Sequence, residues 1–154
     1  MFNIVLYEPE IAPNTGNAIR LCANTGCTLH VIQPLGFEPE DKKLRRAGLD
    51  YSDWQTVIQH ENYSAFCQSI GENRLFTLST HSQKNYTEAK FIAGDYLMFG
   101  PETRGLPKSV RESVPAEQRI TLPMMPNNRS LNLSNSVSIV AYEAWRQVDF
   151  LGAD

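Results

Sequence analysis

Apolar and polar positions fall into blocks along this chain, and the spacing within each block predicts an element. Phe2 to Tyr7 is a short apolar run with β-branched members, ended by Glu8-Pro9, and it reads as a buried strand. Ile11-Ala12-Pro13-Asn14 reads as a turn. Asn14 or Thr15 is then placed to cap a helix that ends at Gly26 and turns Ala18, Leu21 and Cys22 inward. Thr28 to Gln33 is a second strand, closed by Pro34. Strands separated by a helix pair in parallel as a rule. Pro39 stands at the first turn of a third element, Glu38 to Gly48. Asp50 to Ile58 is irregular, with a strand at Gln55 to Ile58. Tyr63, Phe66, Cys67 and Ile70 form a helix stripe stopped by Gly71. Leu75 to Thr80 and Tyr96 to Phe99 are strands, Gly100 to Leu106 is a turn-rich loop, and Pro107 starts a short helix to Val114. Ile120 to Leu122 is the last strand.

The stretch from Pro123 to Trp145 is a loop that runs into a helix. Pro123, Pro126, Asn127 and Asn128 forbid regular structure. Ser130, Asn132, Ser134 and Asn135 supply the hydroxyls and amides that cap helix N-termini and bind ligands. Val137, Val140, Ala141, Ala144, Trp145 and Val148 then mark one helical face, while Ile139 and Tyr142 lie off it. A last helix apolar on two flanks can cover its own core and also meet a partner. The alternation of strands and helices predicts an α/β domain with a mostly parallel sheet flanked by helices.

Composition narrows the class. At 154 residues, with 42% hydrophobic and 20% charged residues, the chain reads as one globular domain over 1–154. Its formal net charge of −3 argues against a strongly basic nucleic-acid binder but permits a local basic patch. Lys42, Lys43, Arg45 and Arg46 form the one dense cluster of that kind, which by default is a solvated helix face. The three cysteines, Cys22, Cys27 and Cys67, are odd in number and lack zinc spacing, so they read as reduced thiols of a cytosolic protein. The first residues lack a basic leader and reach a glutamate at position 8, unlike a signal peptide. No apolar run approaches membrane-spanning length.

Open parallel sheets bind ligands beyond the carboxyl ends of their strands. Three loops leave strands there: Ser79 to Ser82, Gly100 to Gly105, and Pro123 to Leu133. One loop rich in Gly, Pro, Ser and Asn simply makes a turn; three in one sheet indicate a site. The familiar motifs are missing. Asn14-Thr15-Gly16-Asn17 stands where G-x-G-x-x-G would follow the first strand, no phosphate loop occurs, and no G-x-S-x-G elbow presents a serine nucleophile. His30 lies in a predicted strand and His60 and His81 are isolated, none with a partner at metal-ligand spacing. The residues by themselves lead to an α/β domain with a small-molecule crevice.

Three segments taken together resemble the SPOUT class of RNA methyltransferases: N-T-G-N-A-I-R at Asn14 to Arg20, L-M-F-G-P-E-T-R-G-L at Leu97 to Leu106, and R-S-L-N-L-S-N-S-V at Arg129 to Val137. They stand in the order and spacing of that class, and the likeness spans essentially the whole chain. With no further RNA-binding domain, the chain is similar to the minimal members, the TrmL-type tRNA wobble ribose methyltransferases. The resemblance implies a trefoil-knotted α/β fold in which the segment after Leu122 threads through a loop before the last helix.

It also implies S-adenosylmethionine as cofactor, with S-adenosylhomocysteine as product, no metal, and contacts at Leu78, Gly100, Leu122, Ser130 and Leu131. Gly100 would let backbone approach closely. Arg20 is the implied catalytic residue: its planar fork would orient the ribose 2′-oxygen and an adjacent phosphate and stabilise developing negative charge. Asn14 and Asn17 would hold the loop and substrate, and Lys42, Arg45 and Arg46 would meet tRNA phosphates. Tyr142 would touch RNA across a homodimer formed through the last helix. Glu102 carries two readings, a carboxylate beside the cationic sulfonium or a local cap and anchor. Arg104 reads as a structural or RNA-contacting charge. The implied activity is cytoplasmic 2′-O-methylation of the tRNA wobble nucleotide, position 34. The same chemistry on ribosomal RNA or another tRNA position, a non-catalytic RNA- or nucleotide-binding module, and a small-molecule α/β enzyme remain as alternatives.

Overall fold

β1 (Asn3–Tyr7) buries Ile4, Val5 and Leu6 almost completely, as a strand covered on both faces must. In the computed structural model, which describes residues 1–39, 42–46 and 50–154, this strand lies inside a seven-stranded sheet. The other strands are β2 (Thr28–Ile32), β3 (Ile58–His60), β4 (Leu75–Leu78), β5 (Lys84–Asn85), β6 (Tyr96–Phe99) and β7 (Arg119–Thr121). Their order is β3-β2-β1-β6-β4-β7-β5, and every pairing among the described residues is parallel.

Successive strand residues feed opposite cores. Ile4, Leu6, Leu29, Val31, Leu97 and Phe99 point to the layer that holds α1 (Ala12–Thr25) and α6 (Leu133–Gln147), whose Ala18, Ile19, Cys22, Val137, Val140, Ala141 and Ala144 complete it. Val5, Ile32, Leu75 and Met98 point to the other layer, against Phe66 and Ile70 of α4 (Tyr63–Ile70) and Val110 of α5 (Lys108–Arg111). The stripe expected on the last helix is buried from Val137 to Trp145, while Ile139 and Tyr142 are exposed.

Three expectations change. The first helix starts at Ala12, so Asn14 and Thr15 lie buried inside it and cap nothing; Pro13 sits in its first turn, where a missing N–H is harmless. The stretch expected to be irregular contains α3 (Tyr51–Trp54), nucleated when Asp53 N–H donates to Asp50 Oδ1 at 3.1 Å and Asp50 N–H to Asp53 Oδ2 at 2.8 Å. The strand placed at Gln55 to Ile58 accordingly begins only at Ile58. Of the element expected over Glu38 to Gly48, α2 (Lys42–Arg46) is described and packs beside α1; positions 40, 41 and 47–49 lie outside the described residues. β5 carried no signal in the sequence.

His60 is not isolated. Parallel pairing of β2 and β3 brings its Nε2 within 3.0 Å of His30 Nδ1, and His30 Nε2 stands 3.1 Å from Asn3 Oδ1. Asn3 Nδ2 donates to Gly94 O, so Asn3 Oδ1 accepts from His30 Nε2–H, and His30 Nδ1 accepts from His60 Nε2–H. Burial, and then the neighbouring imidazole, pull His30 down to about 4, and burial lowers His60 as well. An unfolded histidine binds its proton near pH 6.5, above the folded value, so protons favour the unfolded chain. Stability is therefore fully present above pH 6.5 and falls as pH drops toward 4, by roughly 2 kcal/mol once solvent screening is allowed for. Urea denaturation of the wild type and His30→Phe across this range checks it: the wild-type profile should fall more steeply, and parallel profiles would refute it.

Candidate cofactor and active site

The three suspected loops converge. At the carboxyl ends of β4, β6 and β7 they enclose a cavity of about 420 Å³ together with Ile11 and Asn14 from the start of α1. Leu78, Gly100, Leu122, Ser130 and Leu131 all line it, as do Phe99, Glu102 and Arg104. The volume falls in the range of small-molecule sites. Leu78, Phe99, Leu122 and Leu131 offer apolar surface to a planar base, and the loop backbones offer polar groups. A nucleoside cofactor fits this set of residues. His81, exposed on the 79–82 loop, stands at the rim.

Gly100 is required by the loop that carries it. A Cβ there would lie 2.4 Å from the backbone nitrogen of Leu106 and 2.6 Å from the carbonyl carbon of Gly105. The close approach is thus made by the loop's own return, which Gly105 permits with φ +68°. Nothing local in the chain marks the crowding backbone as the loop's own and not a ligand's neighbour.

Glu102 serves as an anchor. Its Oε2 accepts from Glu10 N–H at 2.8 Å, and its Oε1 accepts from Ile11 N–H at 3.2 Å and Asn14 Nδ2 at 3.4 Å. Ile11, the N-cap of α1, has no side-chain cap of its own, so a carboxylate 91 residues away does that work and meets the positive end of the helix dipole. Glu10 reciprocates: its Oε1 accepts the backbone N–H of Thr103 at 3.0 Å and its hydroxyl at 2.7 Å, which hold the Glu10 carboxyl below the usual range. Glu10 and Thr103 escaped sequence reading because an acid and a threonine so far apart leave no local pattern.

The third loop joins the same network. Asn132 caps α6, its Oδ1 accepting from Ser134 N–H at 2.9 Å and Asn135 N–H at 3.4 Å, while its Nδ2 donates to Asn14 Oδ1 at 3.1 Å. Asn17 Nδ2 reaches Ser134 Oγ at 3.5 Å. Asn14, expected to hold loop and substrate, is only 7% exposed and is spent on internal bonds. Asn17 and Arg20 are exposed on the α1 face beyond the cavity and do not line it. Lys42, Arg45 and Arg46 are exposed on neighbouring α2. Tyr142 is 45% exposed on α6, with its ring 5.6 Å from that of buried Trp145. No group of three or more potential metal ligands occurs among the described residues, and none of their helices is long and apolar enough to cross a membrane.

Residues 1–142 match the model of the SpoU rRNA methylase family. A tRNA (cytidine(34)-2′-O)-methyltransferase of Saccharophagus degradans is 58% identical over 153 residues, covering 99% of each chain. A solved structure presented as structural insights into the 2-OH methylation of C/U34 on tRNA is 43% identical, with a TM-score of 0.88 over 97% of each chain. The SpoU methyltransferase AviRb from Streptomyces viridochromogenes, in complex with AdoMet, shares the fold: 20% identity and a TM-score of 0.81, over 96% of this chain and 57% of that one. With its three motif segments gathered at one end of a parallel sheet, this chain is a member of the SpoU methylase family and has the α/β fold of SPOUT methyltransferases.

Proposed function

We propose that this protein methylates the ribose 2′-hydroxyl of the wobble nucleotide, position 34, in tRNA, using S-adenosylmethionine. The observation that carries the reading is the meeting of all three motif segments around one cavity, in a chain 58% identical to a wobble-position enzyme along nearly its full length. Leu78, Gly100, Leu122, Ser130 and Leu131 would hold the cofactor, the leucines offering apolar surface to its adenine and the loop backbones and Ser130 offering polar groups. When bound, the cofactor would supply the methyl group from its sulfonium: the sulfur–methyl bond would break as the methyl–oxygen bond forms, leaving neutral S-adenosylhomocysteine, and the proton of the 2′-hydroxyl would pass to water.

Arg20 orients the RNA. A guanidinium offers N–H donors in a planar fork and no acceptor, so Arg20 serves as a fork on the 2′-oxygen and an adjacent phosphate and not as the base. Charge that develops on the attacking oxygen is stabilised by this fixed cation, and the rest of the rate comes from alignment. Supporting this surface, α2 packs beside the helix that carries Asn17 and Arg20, so Lys42, Arg45 and Arg46 extend it toward the RNA backbone. The exposed Ile139 and Tyr142 on α6 support a homodimer through that helix, with Tyr142 next to bound RNA. Such a protein works in the cytoplasm, where tRNA is.

Replacing Lys42, Arg45 and Arg46 together by alanine should weaken tRNA binding at least tenfold at low salt and reduce the slope of log affinity against log salt by about two to three. An unaltered slope would return the cluster to an ordinary solvated face. The function itself is tested in cells. Mass spectrometry of tRNA from a strain lacking this gene should show no 2′-O-methyl group on the wobble nucleotides of its substrates, restored by the wild type and not by Arg20→Ala. Unchanged wobble methylation in the deletion strain would refute the assignment.

A further inference from the structure

One side chain bonds to two of the three loops that line the cavity. Asn14 donates Nδ2 to Glu102 Oε1 and accepts at Oδ1 from Asn132 Nδ2, at 3.4 and 3.1 Å. Glu102 stands two residues beyond Gly100, and Asn132 directly follows Leu131. On its other side Asn14 precedes Asn17 and Arg20 on α1, by three and six residues. Neither neighbour tolerates a reversed amide. The Glu102 carboxylate can only accept, and Asn132 Oδ1 is committed to the cap of α6, which leaves its Nδ2 for Asn14.

The segment from Pro123 to Asn132 is exposed throughout. Among its described side-chain hydrogen bonds, those of Asn128 close on Met125 and Pro126 within the segment, and the one from Asn132 to Asn14 crosses to α1. A ligand seated on Ser130 and Leu131 bears on the adjacent Asn132, whose Nδ2 faces Asn14, and through it on the first turn of α1. Two ligands that favour one arrangement of this shared network each ease the binding of the other.

We propose that Asn14 is a positioning residue that couples cofactor loading to RNA binding, joining the 100–106 and 123–132 loops to the helix that carries Arg20. This rests on the reading above of the cavity as cofactor site and of α1 as RNA surface. The coupling is reciprocal: cofactor or product in the cavity tightens RNA binding by the factor with which RNA tightens the nucleoside. Asn14 lines the cavity, but both ends of its amide are held by Glu102 and Asn132, so it acts through the loops that carry them.

The test is calorimetric titration of S-adenosylhomocysteine into the protein alone and into the protein saturated with substrate tRNA. The wild type should bind at least about fivefold tighter with tRNA present. Asn14→Asp keeps the acceptor for Asn132 but sets a carboxylate against Glu102, and its ratio should fall to within about twofold of one. Asn132→Asp keeps the α6 cap while losing the donor to Asn14, so it should show the same loss and carries the test if the first variant fails to fold. A merely structural role would lower Tm and both affinities yet leave the ratio. A wild-type ratio of one, or variants that retain the wild-type ratio, would overturn the proposal. Methyl transfer by the same wild-type preparation is measured in parallel; its absence would refute the functional reading itself and take the coupling with it.

Discussion

Arg20→Ala should lose methyl transfer by about a thousandfold or more while S-adenosylhomocysteine binds as before. The size follows from the role: a fixed cation at a developing oxyanion is worth roughly 3–4 kcal/mol, which is two to three powers of ten in rate, and lost alignment adds to it. Arg20 is exposed on α1 and outside the cavity lining, so truncating it leaves the nucleoside's contacts and the core intact. Arg20→Lys should recover little, because an ammonium lacks the planar fork that engages two oxygens at once. Single-turnover transfer and calorimetry on the same samples check both halves. Transfer at the wild-type rate would remove Arg20 from the chemistry, and a parallel fall in nucleoside affinity would make it a structural residue.

Gly100→Ala should have the second largest effect, through the fold of one loop. The added methyl meets backbone atoms of Gly105 and Leu106 at 2.4 to 2.9 Å, none of them the end of a flexible side chain, so the 100–106 loop must open. Opening it moves Glu102, and with Glu102 goes the cap on α1. A loss of about 2–4 kcal/mol in stability is expected, together with at least a tenfold loss in S-adenosylhomocysteine affinity. Thermal unfolding and calorimetry measure the two together. A variant with wild-type Tm and affinity would show that the loop has slack where backbone atoms are in contact.

What the sequence revealed and what it hid divide along the range of the interactions. The strands and the α6 stripe from Val137 to Trp145 were legible because burial there follows a local period. The three loops were legible as a site because turn-forming composition recurred beyond three strands of one sheet. The start of α1 was misread because its cap, Glu102, is supplied from far along the chain, and Pro13 on its own resembles a turn. The helix at Tyr51–Trp54 is too short to show a period and depends on the reciprocal bonds of Asp50 and Asp53. His30 and His60 become partners only through the β2–β3 pairing, which no spacing of thirty residues announces. The bonds by which Asn14 holds the loops are hidden for the same reason: its internal partners, Glu102 and Asn132, are 88 and 118 residues away.

The most direct measurement is transfer of tritiated methyl from S-adenosylmethionine by the purified protein to total tRNA from a strain lacking this gene, followed by nuclease mapping of the label. Label is expected in a 2′-O-methyl nucleotide at the wobble position, and none with Arg20→Ala. Label confined to another tRNA position would contradict the substrate assignment and leave the chemistry standing. Absence of label from tRNA, with S-adenosylmethionine bound, would contradict the account at its centre.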